Sequence, residues 1–172
     1  PPTIRISRAQ VVSDDFHARF SVRSKHYRYT LERNAQPSAF SGRFSWQIGE
    51  ELDIAKMREA AGLLTGCHDF RNFTVSGVSA LSFVREITRL EITEPLSQPC
   101  TVPWLELSRP VLIVEEGCSF LYKMVSIITA RLVAVGRGQI APHDMLGYLD
   151  GSFQLNLPPA PARGLMMVKV QY

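Results

Sequence analysis

A long apolar segment is the first thing that this sequence of 172 residues lacks. No uninterrupted apolar run reaches the roughly 18 residues that a transmembrane helix requires, and the nearest candidate, residues 120–135, is interrupted by Lys123 and Arg131. No leader pattern is visible, and a first residue that is proline suggests an excised fragment or a processed product. We expect an intracellular protein without membrane association. The cytoplasm is the compartment we expect first, and an organelle or the nucleus is not excluded.

Cysteine is scarce, and its spacing excludes the common metal sites. The three cysteines stand at positions 67, 100 and 118, without a Cys-x-x-Cys pair, and the histidines at 17, 26, 68 and 143 do not approach them in ligand spacing. An odd number of widely spaced cysteines is typical of a reducing compartment. The sequence therefore predicts neither a disulfide nor a bound metal.

Lysine is also scarce, with four residues against fifteen arginines. Residues 1–43 contain eight basic side chains against three acidic ones, whereas the net charge of the whole chain is only +3. The planar guanidinium binds phosphate oxygens better than the lysine ammonium does. This concentration of charge favours contact with a polyanion, although a solvated surface would explain scattered charge equally well.

The pattern of apolar residues predicts one α+β domain over residues 1–172. Strands are predicted at residues 4–12, 25–33, 84–93, 101–107, 111–116 and 164–168, and helices at 54–64, 120–135 and 142–149, with loops at 34–50 and 156–163. Asp53 is suited to cap the first helix and Gly66 to end it. The short links between elements indicate a mostly antiparallel sheet with the helices packed on one face.

Two tyrosines alternate on the strand predicted at residues 25–33. Because successive side chains of a strand point to opposite faces, Tyr27 and Tyr29 share one face, while His26 and Arg28 share the other. An aromatic ring near guanidinium groups can hold a nucleotide, with the ring on the base and the cation on the phosphate. Aromatic residues are also common in the core of a sheet, so the pattern alone leaves both roles open.

Four further segments follow in an order that carries a resemblance. They are residues 64–73 (Leu-Thr-Gly-Cys-His-Asp-Phe-Arg-Asn-Phe), 84–87 (Val-Arg-Glu-Ile), 120–125 (Phe-Leu-Tyr-Lys-Met-Val) and 164–168 (Gly-Leu-Met-Met-Val). Together with the strand of Tyr27, they resemble the second, carboxyl-terminal half of TruA-type tRNA pseudouridine synthases. The resemblance extends from about Thr3 to Tyr172.

The resemblance implies a ferredoxin-like or RRM-like lobe of the pseudouridine synthase fold. Such enzymes break the glycosidic bond of a uridine, turn the base and rejoin it to the sugar through carbon, with a carboxylate nucleophile and neither cofactor nor metal. The resemblance further implies a tRNA substrate modified in its anticodon arm, and a homodimer.

The resemblance also assigns roles to individual residues. Tyr27 corresponds to the tyrosine that packs on the target base and assists proton removal from its carbon. Ser126 stands where the family has the arginine that pairs with the catalytic aspartate. On an ideal helix Lys123 would lie about 60° from Ser126 and Arg131 about 140° from it, so Lys123 is the nearer substitute. The residues expected to contact RNA are Arg19, Lys25, Arg28, Arg85 and Lys123, and those expected to line the base pocket are Phe120, Leu165 and Val168.

The nucleophilic aspartate of the family lies in an Arg-Thr-Asp-Ala-Gly motif of the first half, and no such motif occurs in this sequence. We therefore expect this chain to be the second lobe of the synthase, inactive on tRNA without an amino-terminal catalytic lobe. Ser126 keeps a second interpretation open, namely a non-catalytic RNA-binding or assembly module of the same fold. A third, an unrelated ferredoxin-like domain, would share the elements but not the ordered motifs.

Overall fold

The computed structural model describes residues 3–33, 41–95 and 110–172, which contain three helices and six strands. The helices are α1 (Ile54–Leu64), α2 (Met124–Gly136) and α3 (Asp144–Asp150). The strands are β1 (Ser24–Glu32), β2 (Trp46–Gln47), β3 (Gly66–Asp69), β4 (Val84–Thr93), β5 (Pro110–Gly117) and β6 (Leu165–Gln171).

The strands form one sheet in the order β2-β1-β5-β4-β3, and β6 pairs with β1 along the edge that β2 also uses. The short pairing of β1 with β2 is parallel, and the other pairings are antiparallel. Tyr27 of β1 lies opposite Glu115 of β5 on one side and Met167 of β6 on the other. The predicted α+β class with a mostly antiparallel sheet is confirmed.

The core lies between the sheet and the helices. α1 packs against β4, α2 and α3, and it buries the residues that its spacing predicts, which are Ile54, Met57, Ala61 and Leu64. Asp53 caps α1 by accepting a hydrogen bond from the backbone N–H of Lys56 at 3.0 Å. In α2 every residue except Arg131 is buried, as expected for a helix that is apolar on nearly every side.

The start of α2 differs from the prediction. The helix begins at Met124 rather than at residue 120, because Lys123 adopts a left-handed backbone conformation with φ of 59°. A residue with positive φ cannot continue a right-handed helix. Residues 118–123 instead form the connection from β5 to α2, so the angular relation expected between Lys123 and Ser126 does not hold.

The strand predicted at residues 4–12 is wrong. These residues have no regular structure, and their apolar side chains are exposed, with Ile4 at 67% and Ile6 at 83%. One edge of β1 is occupied by β5 and the other by β6 and β2. The weakly alternating segment therefore finds no edge of β1 to pair with.

The remaining differences are small. The short strand β2 lies inside the loop predicted at 34–50, and α3 begins two residues later than predicted, at Asp144. The strand predicted at 101–107 lies outside the described residues. Within the described ranges, no helix combines the length and apolar character needed to cross a bilayer.

Candidate active site

Tyr27 stands half-buried at the edge of the core. Its ring meets the ring of Phe120 edge-on, with 5.1 Å between centroids and an interplanar angle of 82°. Gly117 makes this approach possible, since a Cβ there would lie 2.5 Å from the Glu86 carbonyl oxygen and 3.3 Å from Phe120 Cζ. The Tyr27 hydroxyl makes no hydrogen bond within the described residues, so its ring is held in place while its polar end is unused.

Tyr29 shares the face of Tyr27 but not its environment. It is fully buried, and its hydroxyl donates a hydrogen bond to the Pro161 carbonyl oxygen at 2.6 Å. Gly164 packs against its ring, because a Cβ at that position would lie 2.5 Å from Tyr29 Cε1. Tyr29 therefore anchors the loop before β6, and Tyr27 alone of the pair has a free hydroxyl.

Ser126 lies in the first turn of α2, 7% exposed. Its carbonyl oxygen accepts a hydrogen bond from the Ala160 N–H at 3.0 Å. The loop before β6 is thus attached to α2 at Ser126 and to β1 at Tyr29. The structure thereby links Ser126, where the resemblance places the family arginine, to the strand that carries Tyr27.

Lys123 and Arg131, the two cations considered as substitutes for an arginine at position 126, do not lie beside Ser126. The Lys123 side chain is exposed, with its Nζ 5.7 Å from the centroid of the neighbouring Tyr122 ring. The Arg131 guanidinium lies between the rings of Phe73 and Tyr148, 4.2 and 3.6 Å from their centroids, and donates to the Asn72 carbonyl oxygen. Burial lowers the pKa of Arg131 to about 10. Arg131 therefore holds the 71–73 turn against α2 and α3.

The cations expected to contact RNA are spread over several surfaces. Arg28 lies on the sheet face opposite Tyr27, beside Met166, and Arg19 is exposed next to Phe20 in the irregular segment before β1. Arg85 turns back and donates to the carbonyl oxygens of Ser82 and Val84. Lys25 is half-buried on β1.

The residues expected to line the base pocket differ in their surroundings. Phe120 and Leu165 are partly buried and pack against the core, whereas Val168 is 54% exposed. Val168 falls at the irregularity in the pairing of β1 and β6, next to Met167, which lies opposite Tyr27. The structure thus places Phe120 in contact with Tyr27 and leaves Val168 at the surface.

Glu115 is a residue that sequence reasoning missed. It lies on the central strand β5 directly opposite Tyr27, its side chain is completely buried, and neither carboxyl oxygen has a hydrogen-bond partner among the described residues. Burial raises the pKa of Glu115 well above its usual range. Burial, and secondly the charge of Glu115, also raise the pKa of Tyr27. The alternation of β5 could have indicated this burial, because Glu115 shares a strand face with the apolar residues Val111 and Ile113.

The open face of the sheet carries a charged network that the sequence reasoning also missed. Glu116 accepts from Arg89 at 3.0 Å and lies 3.1 Å from His26 Nδ1, while Arg89 also pairs with Glu91 at 2.6 Å. These groups are mutually paired across β1, β5 and β4, so they stabilise the exposed face. In the described residues, no group of three or more histidine, cysteine or acidic side chains is arranged to hold a metal ion.

Comparisons with known proteins agree with the motifs. A family model described as tRNA pseudouridine synthase matches residues 60–172, which is more than half of the chain. The tRNA pseudouridine synthases A of Moorella thermoacetica and Syntrophotalea carbinolica are 35% and 37% identical over 173 residues, covering all of this chain. The mouse protein tRNA pseudouridine synthase-like 1 is 36% identical over 184 residues and 99% of this chain.

The chain spans 62–65% of the length of these relatives. The matched region includes the end of α1, the β3–β4 segment, α2 and β6, which contain the motifs at 64–73, 84–87, 120–125 and 164–168. An unrelated ferredoxin-like domain is therefore excluded. The chain belongs to the family of TruA-type tRNA pseudouridine synthases.

Proposed function

We propose that this chain supplies the carboxyl-terminal half of a tRNA pseudouridine synthase, in which Tyr27 packs on the uridine to be isomerised. The observation that carries the proposal is the state of Tyr27: its ring is fixed edge-on against Phe120, and its hydroxyl makes no hydrogen bond to any residue that the structure describes. A preorganised ring at the rim of a core is suited to hold a base that has left its helical stack. The names of the relatives support the same reaction.

In this mechanism the nucleophilic aspartate belongs to an amino-terminal lobe. The aspartate attacks the sugar, the uracil leaves and turns, and its carbon rejoins the sugar. Tyr27 holds the turning base and takes part in removing the proton from that carbon. Phe120, Leu165 and Val168 border the space for the base, and no step requires a cofactor or metal. The isolated chain is inactive in this scheme, because the nucleophile lies outside it.

The RNA backbone would contact the basic residues around β1. The segment of residues 3–23 is mostly exposed and carries Arg19, and the open face of β1 carries Arg28. Lys25, Arg85 and Lys123 are further candidates at more distant points. The substrate is a tRNA, modified in its anticodon arm, and the enzyme acts as a homodimer inside the cell. The relatives' names supply the tRNA, and the family resemblance supplies the position and the dimer.

The central experiment replaces Tyr27 in the protein that contains both lobes. Tyr27→Leu should lower the single-turnover rate of pseudouridine formation by about 100-fold or more, while Tm and tRNA affinity stay nearly unchanged. Tyr122→Leu is the matched control, since Tyr122 is 62% exposed and should tolerate the same change without loss of rate. An unaltered rate in Tyr27→Leu would overturn the site assignment.

RNA binding is tested separately by its dependence on salt. Each phosphate contact that is removed should flatten the slope of log affinity against log salt by roughly 0.7–0.9. The double variant Arg19→Ala, Arg28→Ala should therefore bind tRNA more weakly and with a smaller slope. If affinity and slope both match the wild type, these two arginines do not contact the RNA backbone.

A second candidate function, a non-catalytic RNA-binding module, is favoured by Ser126. Wild-type protein with both lobes that binds tRNA but forms no pseudouridine would establish it. Ser126→Arg provides the complementary measurement. The rate should rise if the site lacks only the aspartate's partner, whereas Tm alone should fall if the surroundings have closed over the serine, because an unpaired buried guanidinium is costly.

A further inference from the structure

The carboxyl group of Glu115 is the buried polar group that the mechanism above leaves without a role. It occupies the middle of the sheet, between Tyr27 on β1 and Leu90 on β4, and is completely inaccessible to solvent. Within residues 3–33, 41–95 and 110–172 no donor reaches either of its two oxygens, although buried polar groups are normally hydrogen-bonded. Val111 and Ile113, the neighbouring residues on the same face of β5, are apolar.

An unpartnered carboxyl in such a place lowers stability, and an aliphatic side chain would fit the same face without that loss. A residue that weakens the fold beside a functional site is typical of groups retained for activity. The functional neighbour is Tyr27, the direct cross-strand partner of Glu115. Side chains in such pairs have Cβ atoms roughly 4.5–5.5 Å apart, which places the Glu115 carboxyl beside the Tyr27 side chain.

We propose that Glu115 is a positioning residue for the isomerisation, a neutral carboxylic acid that donates its hydrogen bond to the phenol oxygen of Tyr27 when a uracil occupies the site. This inference rests on the proposed function. The Tyr27 hydroxyl is then directed at a carbonyl oxygen of the base, in a chain from the acid through the phenol to the uracil. Both donors act where negative charge develops as the uracil leaves the sugar.

The neutral form of Glu115 is the one that can donate, and the apolar cage favours it, since burial disfavours the charged form. Linked hydrogen bonds polarise one another, so the phenol becomes a better donor when its oxygen accepts from the acid. Tyr27 would touch the base and Glu115 would act through it. No proton is transferred along this chain.

The experiment compares Glu115→Gln with Glu115→Leu in the protein that contains both lobes. The glutamine amide can still donate, so Glu115→Gln should keep its single-turnover rate within about threefold of the wild type. Leucine cannot donate, so Glu115→Leu should lose about tenfold or more in rate while its Tm rises by roughly 2–6 °C. A higher Tm together with a lower rate is a result that a merely structural role would not produce.

A single-turnover rate in Glu115→Leu equal to that of the wild type would overturn the proposal. A rate in Glu115→Gln as low as that of Glu115→Leu would also overturn it. The contact itself is tested by a double-mutant cycle in the protein that contains both lobes. In the Tyr27→Phe background, Glu115→Leu should change the single-turnover rate by less than about twofold, because the acid acts through the phenol that phenylalanine lacks; a loss of about tenfold there would refute the contact. Wild-type protein that forms no pseudouridine would instead refute the proposed function.

Discussion

Tyr27 and Tyr29 allow the same chemical change to be made at two neighbouring positions on one strand face. Tyr29→Phe deletes a hydroxyl that donates to the Pro161 carbonyl oxygen at 2.6 Å, whereas Tyr27→Phe deletes a hydroxyl without a partner in the described residues. Losing the Tyr29 hydrogen bond should lower the free energy of unfolding by about 1–2 kcal/mol. For a chain of this length that corresponds to a fall in Tm of roughly 2–8 °C.

The assay is thermal and urea unfolding of the wild type and both variants, followed by circular dichroism. Tyr27→Phe should stay within about 0.5 kcal/mol of the wild type, as expected for a change that removes no bond. Because only the partner of the hydroxyl differs, the two variants control each other. Equal destabilisation by both would contradict the assignment of Tyr29 to the core and Tyr27 to the site.

The dependence of the free energy of unfolding on alkaline pH provides a second measurement on Tyr29. Burial raises the pKa of Tyr29 above the value of 10.0 that it has in the unfolded chain. The stability that the buried neutral phenol contributes is therefore complete below pH 10 and is lost as the pH rises further. Tyr29→Phe removes the ionisable group and should flatten the decline of stability above about pH 10. A decline that is equally steep in both proteins would refute this assignment.

Four further substitutions have directions that follow from local geometry and burial. Gly164→Ala brings a methyl group within 2.5 Å of the Tyr29 ring and should destabilise by about 1–3 kcal/mol in urea unfolding, whereas Gly62→Ala in α1, with open space around it, should stabilise by about 0.5–1 kcal/mol. Asp53→Ala removes the cap of α1 and should lower the unfolding free energy by about 1 kcal/mol. Above pH 4.5 the free energy of unfolding of Glu115→Gln should rise relative to that of the wild type, by up to about 1.4 kcal/mol per pH unit, because the folded wild type keeps a proton that its unfolded chain releases. If urea unfolding gives the same difference between the two proteins at every pH in that range, the burial of a protonated carboxyl is contradicted.

The sequence predicted α1 and β4 well because their signals are local. The spacing of Ile54, Met57, Ala61 and Leu64 and the cap at Asp53 lie within a few residues of one another, and the strand predicted at 84–93 matches β4. Residues 4–12 had only a weak local alternation. A strand also needs a partner edge, and β5, β6 and β2 occupy both edges of β1.

The family and its motif order were likewise accessible from the sequence, and the family comparison confirms them. The surroundings of the site residues were not. Lys123 was placed on a helix by its apolar neighbours, but the left-handed turn between β5 and α2 removes it from that helix. The turn depends on how two distant elements are joined, which spacing along the chain does not encode.

The sequence by itself determined which faces β1 presents, because alternation is a property of the extended backbone. Tyr27 and Tyr29 were therefore correctly placed on one face. Only the tertiary structure decided that the loop before β6 covers Tyr29. It alone also decided that, in the part of the chain that the structure describes, the Tyr27 hydroxyl has no partner and Glu115 lies buried and unpaired opposite Tyr27. These features depend on segments that are far apart in the chain and meet only when the sheet and α2 close over the core.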